Sequence, residues 1–204
     1  MTATRQQGFT LYELLITLLV IGVILSLGVP NFREFTANSR MTAAANDLHS
    51  ALLLARTEAA RTKANVTVCA SDETVIPRSC AATSFDNGWI VFTDATSATD
   101  DTPNLAIDAG VDVLLRAYPA INADIDITTN GAGAADYFTF AGNGLGFGAI
   151  GVNPPLATAT MCDGRGNVVA AGGQSAARVL IVTPLGRATV LRDPTQITAQ
   201  GGCP

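Results

Sequence analysis

One carboxylate stands inside a long apolar run near the start of the chain, and its presence there needs a chemical explanation. Glu13 is the only charged residue between Phe9 and Pro30. An ionised carboxylate in hydrocarbon costs on the order of 2.5–3.5 kcal/mol even on the permissive insertion scale. Glu13 therefore requires a partner or a special location, such as the headgroup region at the membrane surface.

Four cysteines form the second group with chemical potential, and all lie beyond the apolar run. Their spacing favours a short loop closed by Cys69 with Cys80 and a longer one closed by Cys162 with Cys203, although four cysteines can pair in three ways. Disulfides suit an oxidising compartment. A zinc site is the weaker alternative, because the chain has no C-x-x-C and its one histidine, His49, lies upstream.

Charge is distributed unevenly along the chain. Residues 71–136 hold 11 acidic side chains against two arginines, a net charge of −9, whereas residues 160–204 hold four arginines against two aspartates, a net charge of +2. The four arginines are candidates for a small DNA-contacting face, and the alternative is that they cap strands and form scattered surface pairs. They are Arg165, Arg178, Arg187 and Arg192.

Catalytic and metal-binding patterns are absent from the sequence. The chain has a single histidine, no G-x-S-x-G and no H-E-x-x-H. The acid-rich stretch lacks EF-hand spacing, so solvated loops are favoured over a calcium site. We predict that the protein is not an enzyme and holds no cofactor or metal, and that His49 and Trp89 are packing residues.

Two helical segments make up the N-terminal part of the chain. The largely apolar run from Phe9 is about as long as the ~20 residues that cross a bilayer core. Alternatives are a cleaved secretory signal, which is usually shorter, and a simple anchor whose Glu13 reaches the headgroups. After Pro30 apolar residues recur at helical spacing to about Thr62, which predicts an amphipathic continuation of the same helix.

From residue 64 onward the pattern changes to short strands separated by turn-forming residues. With 204 residues and 48% hydrophobic content, the chain can bury one core beyond its anchor. One long helix followed by many strands predicts an α+β fold with an antiparallel sheet or two. The predicted strands cover residues 64–70, 88–94, 111–118, 124–129, 136–142, 157–163, 177–184 and 186–192.

The N-terminal segment "GFTLYELL" resembles the processing site of type IV pilins and type II secretion pseudopilins. The resemblance implies that a prepilin peptidase cuts between Gly8 and Phe9 and methylates the new N-terminus. It also implies that Glu13 pairs with the N-terminal amine of a neighbouring subunit during filament assembly. An opposite charge in a medium of low dielectric constant would offset much of the desolvation cost of that carboxylate.

Further segments, "LLLARTEAARTKANVTVCAS", "NGWIVFTD", "MCDGRGN" and "ARVLIVTPLGRATVLR", resemble the GspH/FimT family of minor pilins and minor pseudopilins. The resemblance implies a pilin fold with four segments: a leader (1–8), a transmembrane or filament-core helix (9–30), an amphipathic helix half (31–62) and a periplasmic β-rich head (63–204). Gly186 and Arg187 are typical of the pilus members. DNA-binding members carry further arginines there, whereas Ala188 and Thr189 follow here.

The function implied is that of a structural minor pilin at or near the tip of a type IV pilus, helping to initiate assembly. Its partners would be other minor and major pilins, the prepilin peptidase and the inner membrane, which the chain would cross once. The alternatives are a minor pseudopilin of type II secretion and a DNA-binding minor pilin for natural transformation. Loss of the leader leaves 11 basic and 17 acidic side chains, and this net charge of −6 disfavours DNA.

Overall fold

The computed structural model describes residues 8–80, 84–95, 103–130, 137–146, 158–170 and 172–203. By contact density the chain divides into two compact units, residues 1–39 and residues 40–204. The first seven leader residues and the acidic pair Asp100 and Asp101 lie outside the described residues.

The first helix, α1, runs from Leu11 to Thr62 and continues through Pro30. Side chains from residue 8 to residue 35 are exposed in the isolated chain. One stretch of 18 residues has a mean hydropathy of 2.3, so α1 is long and apolar enough to cross a membrane. In the second unit one face of α1 is buried, and five of its eight buried residues are alanines, which let the helix lie close to the sheets. The eight are Met41, Ala44, Ala45, Leu48, Ala51, Leu52, Ala55 and Ala59.

Eight strands follow, and they form two antiparallel sheets of four. The first sheet has the order β3-β2-β1-β5 and the second the order β4-β6-β7-β8. The strands are β1 (Val66–Ala70), β2 (Trp89–Thr93), β3 (Leu114–Tyr118), β4 (Ile125–Thr129), β5 (Tyr137–Phe140), β6 (Thr158–Asp163), β7 (Arg178–Val182) and β8 (Ala188–Leu191). This architecture confirms the α+β prediction, and each predicted strand region contains one observed strand.

Both sheets contribute to one hydrophobic core with the buried face of α1. Val68 and Phe138 come from the first sheet, and Met161 and Leu180 come from the second. Because strand side chains alternate between faces, β1 is buried throughout only if its outer face is also covered. A smaller cluster around Cys69 and the partly buried Leu105 and Ile107 provides that cover.

A short second helix, α2 (Pro194–Ala199), packs on the outer face of the second sheet. Asp193 caps it by accepting hydrogen bonds from the backbone N–H groups of Thr195 and Gln196. Its one buried residue, Ile197, joins Ala177 and Val179 in a third cluster. The sequence analysis did not predict α2, although an aspartate followed by proline is a recognisable helix start.

Candidate functional site: the N-terminal segment and the arginine cluster

Glu13 has a local role at the start of α1. The Thr10 backbone N–H donates to the Glu13 carboxylate (3.3 Å), and the Glu13 backbone N–H donates to the Thr10 hydroxyl (3.2 Å). This reciprocal pair is a capping box, which satisfies two of the backbone donors that a helix N-terminus leaves free. The carboxylate also lies at the positive end of the helix dipole. The sequence analysis missed this role, whose signal is the T-x-x-E spacing from Thr10 to Glu13.

The cleavage position predicted from the sequence is open to solvent. Gly8 and Phe9 precede α1 without regular secondary structure, and Phe9 is 91% exposed. A Cβ atom placed on Gly8 would meet nothing within 4 Å, so the fold of this chain does not require glycine there. Any need for glycine at this position therefore comes from outside the fold of this chain.

Polar side chains within the apolar part of α1 bond to the backbone of the helix itself. The Thr17 hydroxyl donates to the Leu14 carbonyl (2.8 Å), and the Ser26 hydroxyl donates to the Val23 carbonyl (2.8 Å). Hydrocarbon offers no hydrogen-bond partner, so a spanning segment must satisfy its polar groups internally. These residues are therefore compatible with a bilayer or a dry filament core.

The four cysteines form two disulfide bonds in the structure. Cys69 is joined to Cys80 and Cys162 to Cys203, with Cα–Cα distances of 5.5 and 5.6 Å. These are the pairs that the spacing favours. The first closes a short loop beside the outer cluster of the first sheet, and the second ties the C-terminal segment to β6.

The four candidate arginines do not form a single exposed face. Arg178 is only 3% exposed, whereas Arg187 is exposed. Arg165 forms an ion pair with Asp163. Arg165, Arg178 and Arg192 lie close enough together to interact electrostatically. Arg187 precedes β8, at the turn end of the β7–β8 hairpin. Arg178 and Arg192 lie at the opposite end of this hairpin, where Val179 pairs with Leu191.

One aspartate of the acid-rich stretch is fully buried and organises a loop. Asp94 accepts hydrogen bonds from the Asn104 and Leu105 backbone N–H groups (2.7 and 3.1 Å) and from the Thr67 hydroxyl (2.6 Å). Burial raises the pKa of Asp94, and these hydrogen bonds oppose that effect. Within the described ranges, no group of three or more His, Cys, Asp or Glu side chains could hold a metal ion.

Two family models match the chain. The model for the prokaryotic N-terminal methylation motif matches residues 3–29, which contain Gly8, Phe9 and Glu13. The model described as type II transport protein GspH matches residues 44–186, which is 143 of the 204 residues.

The chain belongs to the GspH family. This GspH-family chain is also similar to two curated proteins of Pseudomonas aeruginosa, each called a fimbrial protein. Identity to each is 29% over 91 residues, or 45% of this chain and 51% of the relative. The chain therefore spans about half the length of the curated relatives it matches.

Among solved structures, the GspH-family chain is similar to two crystal forms of the Pseudomonas aeruginosa type IV minor pilin FimU. The first has a TM-score of 0.46 and 19% identity, and it covers 79% of this chain and 94% of that chain. The second has a TM-score of 0.42 and 18% identity, with coverages of 73% and 90%.

The structure gives a physical reason for glycine before Arg187 in this GspH-family chain. Gly186 has a φ of +74°, and a Cβ atom there would lie 2.3 Å from the Gly144 carbonyl oxygen. Gly144 lies in the loop after β5, and Gly186 lies in the turn between β7 and β8. The Arg56 side chain on α1 donates hydrogen bonds to both segments, to the carbonyls of Gly144 (3.2 Å) and Leu185 (3.1 Å). Glycine at 186 therefore serves a close approach of two loops beside the helix.

Proposed function

We propose that this GspH-family protein is a structural minor pilin of a type IV pilus, placed at or near the tip, where it helps to initiate filament assembly. The observation that carries the proposal is the methylation motif over residues 3–29, joined to an apolar helix whose side chains are exposed up to residue 35. An exposed apolar surface of this length requires a cover, and a bilayer followed by a filament core provides one.

The choice of a pilus rests on the similarity to two proteins that are called fimbrial. A minor pseudopilin of type II secretion is the second candidate, and the description of the matching family model favours it. Both candidates need the same leader cleavage, anchor and Glu13 chemistry. They differ in whether the protein leaves the envelope in a surface filament.

In this proposal, Glu13 exchanges one partner for another. In the isolated chain its carboxylate accepts the Thr10 N–H at the start of α1. In a filament it would face the positively charged amine of Phe9 from a neighbouring subunit. A charge pair in a dry environment favours the assembled state over a lone carboxylate in lipid.

Intact-mass analysis of the protein extracted from membranes tests the processing step. We expect a chain that begins at Phe9 and carries one N-methyl group. A Gly8→Ala variant should still fold, because the fold does not need glycine at that position, and it should retain Met1, because the proposed peptidase loses the glycine that it recognises. A wild-type chain that keeps its first eight residues, or one cleaved after Val29, would contradict the pilin assignment.

A further inference from the structure

Four charged side chains meet at one end of the second sheet. Asp163 ends β6, Arg178 begins β7, and Arg192 directly follows β8. The antiparallel register brings these ends together, since Met161 pairs with Arg178 and Val179 pairs with Leu191. Arg165 lies in the turn after β6 and completes the set, which we call the arginine cluster (Asp163, Arg165, Arg178 and Arg192).

The two arginines on β7 and after β8 converge on the same backbone oxygen. Arg178 donates through Nη1 to the carbonyls of Ser175 (3.2 Å), Ala176 (2.6 Å) and Ala177 (3.1 Å). Arg192 donates through Nη2 to the Ser175 carbonyl (3.4 Å). The Nε–H of Arg192 is buried and has no hydrogen-bond partner in the part of the chain that the structure describes. A buried donor without an acceptor is unfavourable.

The cluster carries more positive than negative charge. Asp163 is engaged by Arg165, whose Nε lies 3.1 Å from both carboxylate oxygens. Although burial alone would raise the pKa of the Asp163 carboxyl, its bonds to Arg165 hold that pKa below its ordinary value. Three guanidinium groups and one carboxylate leave a net charge of +2 within the cluster.

The excess charge is partly removed from water. Burial, followed by the charges of Arg192 and Arg165, lowers the pKa of Arg178 to about 10, so Arg178 remains cationic at neutral pH. A buried charge whose partner is missing is strongly destabilising. The neutral carbonyl groups around Arg178 supply acceptors, and the opposite charge nearby, Asp163, is already bonded to Arg165.

We propose that the arginine cluster is an oxyanion-binding site that takes one carboxylate or phosphate group between Arg178 and Arg192. A single planar or tetrahedral oxyanion matches the paired N–H donors of guanidinium groups. The unpartnered Nε–H of Arg192 is the donor that such a group would satisfy. Arg165, whose side chain is 24% exposed, and the partly exposed Arg192 bring the cluster to the protein surface.

The site accepts one anionic group and is unsuited to a polyanion. Arg187 lies five positions before Arg192, which corresponds to about 17 Å along an extended strand. Its guanidinium therefore cannot contact the same oxyanion. The occupant is an acidic side chain of a second polypeptide or a free phosphate ion, and the inference does not depend on which filament the protein joins.

Thermal unfolding of the full mature chain in neutral detergent tests the site. Phosphate or acetate replaces chloride at constant ionic strength and pH, so that general screening of charge stays fixed. We expect the Tm to rise with the oxyanion concentration and to saturate, as for a ligand that binds only the folded state. The rise should be lost in Arg192→Gln and kept in the matched control Arg187→Gln, which removes the same charge at the other end of the hairpin.

The anion dependence also identifies the source of the occupant. A rise with acetate comparable to that with phosphate would indicate a carboxylate from a second chain, whereas a rise confined to phosphate would indicate the free ion. An unchanged wild-type Tm, or an equal rise in Arg192→Gln, would overturn the proposal. Equal loss of the rise in Arg187→Gln would also overturn it, because the effect would then be one of general charge.

Discussion

The capping role of Glu13 and its proposed role in charge pairing can be separated by substitution, because pairing needs the charge and capping needs only a hydrogen-bond acceptor. Gln at the third position of a capping box still accepts the backbone N–H at the helix start, whereas Ala does not. Thr10→Ala removes the reciprocal half of the box and leaves the Glu13 charge in place. The three variants therefore distinguish helix capping from charge pairing.

We predict that Glu13→Gln and Glu13→Ala both enter the membrane and both fail to join filaments, whereas Thr10→Ala joins them. The loss of a cap costs about 1 kcal/mol, which a long helix tolerates. Quantitative immunoblotting of membrane and sheared-filament fractions provides the measurement. Normal incorporation of Glu13→Gln would show that capping, and not charge, is what assembly requires.

The buried Asp94 predicts a pH effect on stability whose sign follows from its raised pKa. Between the unfolded pKa, ~3.9, and the higher folded pKa, the folded state binds more protons than the unfolded state. The contribution of Asp94 to stability is therefore fully present below that window and lost as pH rises through it. An isosteric neutral side chain removes this dependence.

We expect the stability of Asp94→Asn relative to wild type to increase from acid to neutral pH. Asp94→Ala should be less stable than Asp94→Asn by about 1–3 kcal/mol at every pH, because the N–H groups of Asn104 and Leu105 lose their acceptor. Urea unfolding at several pH values gives both differences. A constant difference between Asp94→Asn and wild type would contradict the raised pKa.

Local sequence signals identified most helices and strands, but the residues at which they begin depended on backbone hydrogen bonds that periodicity does not show. The predicted strand at 111–118 begins only at Leu114, because the Val111 and Asp112 N–H groups both donate to the Asp108 carbonyl in a turn. The helix α2 was missed because its six residues bury a single side chain, too few for a periodic pattern.

The candidate site was only partly predictable from the sequence, because part of it depends on the pairing of strands. The apolar run and Glu13 are local features, so the N-terminal segment could be read directly from the sequence. The burial of Arg178 depends on the pairing of β6, β7 and β8, which sequence spacing does not reveal. An arginine that reads as surface charge in the sequence is therefore 3% exposed in the folded chain.

The two disulfide bonds should differ in what they contribute. In the loop-entropy model, closing 41 residues stabilises by ~4 kcal/mol and closing 11 residues by ~3 kcal/mol. We predict that the Cys162→Ala/Cys203→Ala double variant loses more stability than Cys69→Ala/Cys80→Ala. Urea unfolding of both variants tests the order, and peptide mapping without reductant tests the pairing. Four free thiols in the exported protein would contradict both the pairing and the proposed location of the β-rich domain in an oxidising compartment.

At the scale of the whole molecule, charge argues against DNA as the main partner. The mature chain has a net charge of −6. Arg178 is buried and Arg165 is paired with Asp163, so a rigid DNA duplex cannot bring its backbone phosphates against them as a free ion or a single acidic side chain could. We predict weak binding of the mature chain to duplex DNA in gel-shift titrations at near-physiological salt. Micromolar or tighter binding that is lost in Arg187→Ala would make DNA uptake the leading function.

We claim that the protein is a minor subunit of a surface filament. The most direct measurement is quantitative mass spectrometry of filaments sheared from cells, with the mature chain counted relative to the major subunit. We predict that the chain is present, begins at an N-methylated Phe9 and is far less abundant than the major pilin. Absence from sheared filaments while the processed chain accumulates in the membrane would contradict the claim and favour the secretion pseudopilin.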